Sequence, residues 1–201
     1  MSMSKRELRA INTKNKLLTV SKELIINNGY ENVSISNICK TCNVAKGTFY
    51  TYFKSKDDII ISILKDINEA MFSNLKFDET NTSVENLSRY QTFYLDNVVR
   101  GQGKRVTREI FRIICDHKFK DHDFYSCKHS EYLEKTIRQG QEEGVFRKDL
   151  DAGTLSVMMQ SLNFGIMINW SCHDDAESIE EQGIRVLEMF INYLKLPAGS
   201  F

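Results

Sequence analysis

A single proline, Pro197, stands near the C-terminus of 201 residues, so nothing before it imposes the fixed φ and missing N–H that interrupt a helix. Long helices are permitted throughout. No apolar run approaches the ~20 residues a membrane span needs, and no basic segment leading into a sustained apolar stretch opens the chain. The expectation is a cytoplasmic protein with no membrane partner. Catalytic signatures are missing too: there is no G-x-S-x-G elbow, P-loop, HExxH or glycine-rich dinucleotide loop, and the carboxylates are scattered, so the chain is not expected to be an enzyme. Internal repeats and low-complexity segments are absent.

The five cysteines are an odd number and read as thiols rather than a disulfide framework. Cys39 and Cys42 form one CxxC, but no second CxxC supplies the other half of a four-ligand zinc site, and both fall in a helix where small buried residues are wanted. The stretch CDHKFKDHDFYSCKH (115–129) gathers His117, Asp121, His122, Asp123, Cys127 and His129 at spacings that match no standard ligand set. It reads as a polar turn running into a helix, so neither a metal nor a resident cofactor is expected.

What is present is an ordinary folded composition, 41% hydrophobic and 27% charged, in a length that suits one core or a small module joined to a larger one. The net charge of zero hides an asymmetry: residues 1–56 carry ten Lys/Arg against three Asp/Glu, a surplus of seven positive charges that the remainder cancels. A basic head on an acidic body suits phosphate binding, because lysines that neutralise phosphates release condensed counterions.

Apolar spacing predicts an all-α chain of about nine helices. The first runs over 13–28 and stops at Gly29; short helices follow over 34–42 and 45–53, capped at the first by Ser34. Ser55 caps a long helix from Lys56 to about 75, with Asp57 and Asp58 favourable to its dipole. The polar stretch 76–83 is a loop. Further helices are expected over 84–99, 104–117, 124–143, 152–171 (capped by Asp151) and 176–195.

Residues 35–54 meet the packing demands of a helix-turn-helix. Cys39 is small where the helices approach, Asn43 tolerates a left-handed turn, and Ile38, Val44, Phe49 and Tyr52 have the spacing of a small core. Phe49 and Phe53 read as packing; Tyr52 reads as a buried ring with an outward hydroxyl.

The run NVAKGTFYTYFKSKDDI (43–59) resembles the signature of the TetR/AcrR family of transcriptional regulators, and the likeness extends over about residues 13–75. EGVFRKDLDAGTL (143–155) is similar to what often precedes that family's dimerising helices, whereas 76–142 matches nothing specific. Cys39, Cys42 and Asn43 depart from the alanines and glycine common there without blocking the fold. The resemblance implies a helix-turn-helix DNA-binding domain over 1–55, a three-helix bundle, and a larger helical ligand-binding and dimerisation domain over 56–201. It places Lys46, Gly47, Thr48, Tyr50, Thr51 and Tyr52 on or beside the recognition helix and Lys56, as a point charge, near phosphate. Ser34 and Ser36 are caps that can also meet a phosphate.

The function implied is a ligand-responsive repressor that binds a near-palindromic, double-stranded operator as a homodimer. The helices over 152–171 and 176–195 would pair as a four-helix bundle, with Leu155, Met159, Leu162, Ile166, Ile184, Leu187, Phe190, Ile191 and Leu194 at the interface. An unknown small apolar or amphipathic effector would meet some of Phe93, Phe111, Met159, Phe164, Met167 and Trp170. The alternative is a ligand- or redox-sensing helical protein that acts through protein–protein contacts.

Overall fold

The computed structural model describes residues 4–116, 127–174 and 177–195. Among these residues the chain is entirely helical, with nine α-helices: α1 (Lys5–Asn28), α2 (Ile35–Cys42), α3 (Lys46–Tyr52), α4 (Lys56–Asn74), α5 (Ser83–Asp96), α6 (Gly103–Cys115), α7 (Cys127–Glu142), α8 (Ala152–Cys172) and α9 (Ile179–Lys195). None is long and apolar enough to cross a membrane. Of the 115–129 stretch, residues 117–126 and the Cys127 side chain lie outside the described residues.

Side-chain caps set most of the starts. Ser34, Ser55 and Asp151 accept from the backbone N–H three residues on, at 3.1, 3.1 and 2.9 Å, satisfying donors that the first turn leaves free. Helix α1 begins eight residues earlier than apolar spacing suggests. Ser4 and Glu7 form a reciprocal capping box that fixes this earlier start, although no side chain before Leu17 is fully buried. At Asn97–Gln102 helix α5 widens into a π turn, and Gly103, at φ +70°, redirects the chain into α6. Gly101 sits in that turn against α4, where a Cβ would lie 3.2 Å from Ile67 Cγ2.

Burial is organised in three clusters. The first joins Leu17, Ile25, Ile38, Phe49, Phe53, Ile59 and Ile63 of α1–α4 with Val106, Ile110 and Ile113 of α6, so one core crosses position 55/56. A second gathers Met71, Leu87, Tyr90, Leu133, Leu155, Met159, Phe190 and Leu194. The third, around Ile166, Met167, Trp170 and Ile179, lies beside the π turn. Helix α4 runs from the first cluster into the second, a mechanical link between the two ends of the molecule.

Candidate nucleic-acid interface and ligand cavity

Helices α2 and α3 meet at Asn43, which adopts the left-handed conformation (φ 54°, ψ 49°) that asparagine tolerates better than most residues. Beneath them Ile38 and Phe49 are fully buried and Phe53 nearly so, with the Phe49 and Phe53 rings 5.6 Å apart. That floor fixes which side of α3 faces out. Lys46, Gly47, Tyr50 and Thr51 are exposed, Tyr50 by 56% despite its large ring; Thr48 and Tyr52 are half-buried. The Thr51 hydroxyl donates to the Gly47 carbonyl at 3.0 Å. Ser34 and Ser36 are exposed at the start of α2, next to the same surface in sequence.

Lys56, expected as a point charge near phosphate, is partly engaged within the protein. Its ammonium is half-buried, donates to the Tyr30 and Val33 carbonyls at 2.7 and 2.9 Å, and lies 3.8 Å from the Tyr30 ring centre. Two of its three N–H groups are thus committed to the loop that carries Ser34. Around the same tyrosine a network of charges ties α6 to the head. Arg112 donates to Asp57 at 2.6 Å, Glu109 at 2.7 Å and Asp116 at 3.2 Å, while the Tyr30 hydroxyl also donates to Asp57. Burial, then the Asp57 carboxylate, push the Tyr30 phenol far above its ordinary range. For Arg112 burial acts to lower the pKa, but the hydrogen bonds to Glu109 and Asp57 outweigh it and the net shift is upward. Sequence reasoning finds Asp57 only as a helix-dipole partner, because Arg112 lies 55 positions away.

A cavity of about 50 Å³ opens among α4, α5, α7 and α8, lined chiefly by Leu64, Tyr90, Tyr94, His129, Phe164 and Met167. Its polar groups are Asn68, Gln160 and Asn163 with the two tyrosines and the imidazole; no Lys, Arg, Asp or Glu among the described residues lines it. Tyr90 donates to His129 Nδ1 at 2.8 Å, and Nε2–H of the same ring donates to Asn68 Oδ1 at 3.3 Å, a pattern that suits one neutral tautomer. Burial drives the His129 pKa down to about 4. Behind the wall, Phe111 of α6 meets Phe164 edge to face with ring centres 4.8 Å apart.

Of the residues expected at an effector site, Phe164 and Met167 line this cavity. Phe93, Phe111, Met159 and Trp170 do not: Met159 is fully buried in the second cluster, Trp170 and Phe111 belong to the third, and Phe93 is half-buried beside the second. The polar members Asn68, Tyr90, His129, Gln160 and Asn163 escape sequence reasoning, since a search for apolar stripes passes over them.

The outer faces of α8 and α9 also differ from expectation. Leu155, Met159, Ile166, Leu187, Phe190 and Leu194 turn inward and are buried within the protomer, and Ile191 is half-buried. Leu162 (42% exposed) and Ile184 (53%) do face out, joined by Val157, Met158, Ile168 and Met189. The cause is that α8 is apolar on nearly every side, so periodicity marks a buried helix without saying which side is core.

Residues 17–63 match the family model for bacterial regulatory proteins of the tetR family. Along its length the chain is 21% identical to the HTH-type transcriptional regulator UidR of Escherichia coli K12, over 92% of this chain and 95% of that protein. It shares its fold with a putative transcriptional regulator from Saccharomonospora viridis crystallised with choline, at TM-score 0.67 and 23% identity over 90% of this chain and 96% of that one. AibR, in complex with isovaleryl coenzyme A and operator DNA, superposes at TM-score 0.61 and 19% identity, covering 91% and 98%. An all-helical body behind an exposed helix-turn-helix defines a DNA-binding transcriptional regulator. Residues 17–63 are thus similar to the DNA-binding segment of the bacterial tetR-family regulators, and along most of its length the chain is similar to a transcriptional regulator.

Proposed function

We propose that the chain is an effector-responsive repressor that reads a near-palindromic operator as a homodimer, with residues 1–55 as the DNA-binding head and 56–201 as the sensing and dimerising body, acting in the cytoplasm. The observation that carries this is the outward side of α3: Lys46, Gly47, Tyr50 and Thr51 exposed over a floor of buried phenylalanines. Gly47 lets backbone approach a phosphate, Thr48 and Thr51 can contact a base edge or thymine methyl, and the hydroxyls of Tyr50 and Tyr52 reach phosphate oxygens. Ser34 and Ser36 add hydroxyls at the start of α2. Lys56 holds the loop before α2 and has one N–H left for phosphate.

The dimer is built from the outward faces of α8 and α9 around Val157, Leu162, Ile168, Ile184 and Met189, which would otherwise leave large apolar side chains in water. Its two-fold axis sets the spacing of the two α3 helices at about 34–36 Å, one turn of DNA, or a multiple. The effector is small, uncharged and amphipathic, as an uncharged cavity with aromatic walls and amide corners suggests. Seating it moves Phe164 against Phe111 on α6, and the same helix holds Asp57 through Arg112, so the push reaches the head. A redox reading has less support, because burial raises the Cys42 thiol pKa and so disfavours the reactive thiolate.

The test is an electrophoretic mobility shift with a duplex enriched from a random pool by the unaltered chain. Tyr50→Ala should weaken binding roughly tenfold, the cost of a charged hydrogen bond, with helicity and mass unchanged. Undiminished affinity would remove α3 from the interface.

A further inference from the structure

Helix α1 is longer than its packing requires. Its first fully buried side chain is Leu17, yet the helix begins at Lys5 and is closed at that end by the Ser4–Glu7 box. Residues 5–16 therefore form an ordered arm rising about 16 Å at 1.5 Å per residue. The arm is basic. Lys5, Arg9, Asn12 and Lys16 recur at spacings of four, three and four, which puts all four on one stripe of the helix, and each is exposed. No ion pair engages Lys5, Arg9 or Lys16 among the described residues, and Glu7, the arm's single acid, is occupied with the Ser4 cap.

Two interactions place the arm. At its root the Lys16 carbonyl accepts a long hydrogen bond from the Cys42 thiol, 3.8 Å away at the end of α2, one residue before the turn into α3. At the far end of α1, Arg105 of α6 donates to the Ile26 and Asn27 carbonyls at 2.8 and 2.7 Å. The body thus grips the C-terminal end of α1, and the basic turns lie at the opposite end, with their root at Lys16 against the end of α2. Three-helix DNA-binding heads can use the segment at the front of their first helix to reach DNA next to the major-groove site.

We propose that the stripe Lys5–Arg9–Lys16 is a second DNA-binding surface, which takes backbone phosphates flanking the bases met by α3. This rests on the reading of α3 as the recognition helix and adds a site to it. The ligand is duplex backbone, not a base sequence: the stripe offers point charges and a fork of guanidinium donors, and nothing on it has the shape of a base-edge reader. It lengthens the footprint and steepens the salt dependence without changing the sequence preferred.

The test compares the unaltered chain with Lys5→Ala/Arg9→Ala/Lys16→Ala and with a charge-matched control on the body, Arg100→Ala/Arg138→Ala/Lys148→Ala. Alanine favours helix, so the arm variant should keep its helicity, which circular dichroism checks. Binding to the enriched duplex is titrated across salt concentrations. The expected result is that the salt slope of the arm variant falls by about 0.9 for each phosphate it no longer neutralises while its sequence preference is kept, and that the control keeps the original slope. Trimming the duplex flanks should weaken the unaltered chain and leave the arm variant nearly unaffected. An unchanged slope in the arm variant, or an equal fall in the control, overturns the proposal while leaving α3 in place. Failure of the unaltered chain to enrich any duplex would instead overturn both readings.

Discussion

His129 shows how much one side chain can report. Its ring is held between the Tyr90 hydroxyl and the Asn68 amide oxygen, with Phe72 edge-on at 4.6 Å, and the folded protein keeps it neutral down to about pH 4. The unfolded chain binds that proton near pH 6.5, so between those values the unfolded state takes up more protons and stability falls as the pH drops. The contribution of this residue should decline by roughly 2 kcal/mol between about pH 7.5 and 5, as measured by urea unfolding, and His129→Gln should flatten that decline. At this scale the sequence is legible wherever the partners are close along the chain. Phe49 and Phe53 read correctly as floor, Asn43 as the left-handed turn, and Ser34, Ser55 and Asp151 as caps. His129 is legible only as one member of a polar stretch, because Tyr90 and Asn68 lie 39 and 61 positions away.

Helix α6 is the element that joins the cavity wall to the head. One of its faces packs Val106, Ile110 and Ile113 into the core of the head, Phe111 touches the cavity wall, and Arg112 gathers Asp57, Glu109 and Asp116. Removing the guanidinium with Arg112→Ala leaves Asp57 and Glu109, both largely buried, without their shared cation. Because Arg112 is one-third exposed, solvent screens part of the loss, and urea unfolding should show a destabilisation of about 1–2 kcal/mol. The same variant should bind operator with less response to effector, since the link from Phe111 to Asp57 is cut. Nothing in the sequence of α6 announces this role. Its amphipathic pattern predicts a helix over 104–117 and the structure has one over 103–115, but which elements it touches depends on the turn at Gly103. Helix α8 shows the opposite case: the sequence predicts its bounds within a residue but not its orientation, because a helix apolar on all sides carries no directional signal.

As a whole molecule the account needs two copies. Among the described residues Leu162 and Ile184 stay exposed, and pairing them across a two-fold axis would remove them from water and duplicate α3. Leu162→Glu/Ile184→Glu should sediment as a monomer. Its operator affinity should fall by a factor on the order of 10² or more, since the second half-site no longer binds as an intramolecular event. The most direct measurement is a hydroxyl-radical footprint of the unaltered chain on its enriched duplex. The account predicts two protected patches related by a dyad, with centres one turn of DNA apart or a multiple of it, and loss of protection at both in Tyr50→Ala. A single asymmetric patch, or protection that survives Tyr50→Ala unchanged, would contradict it.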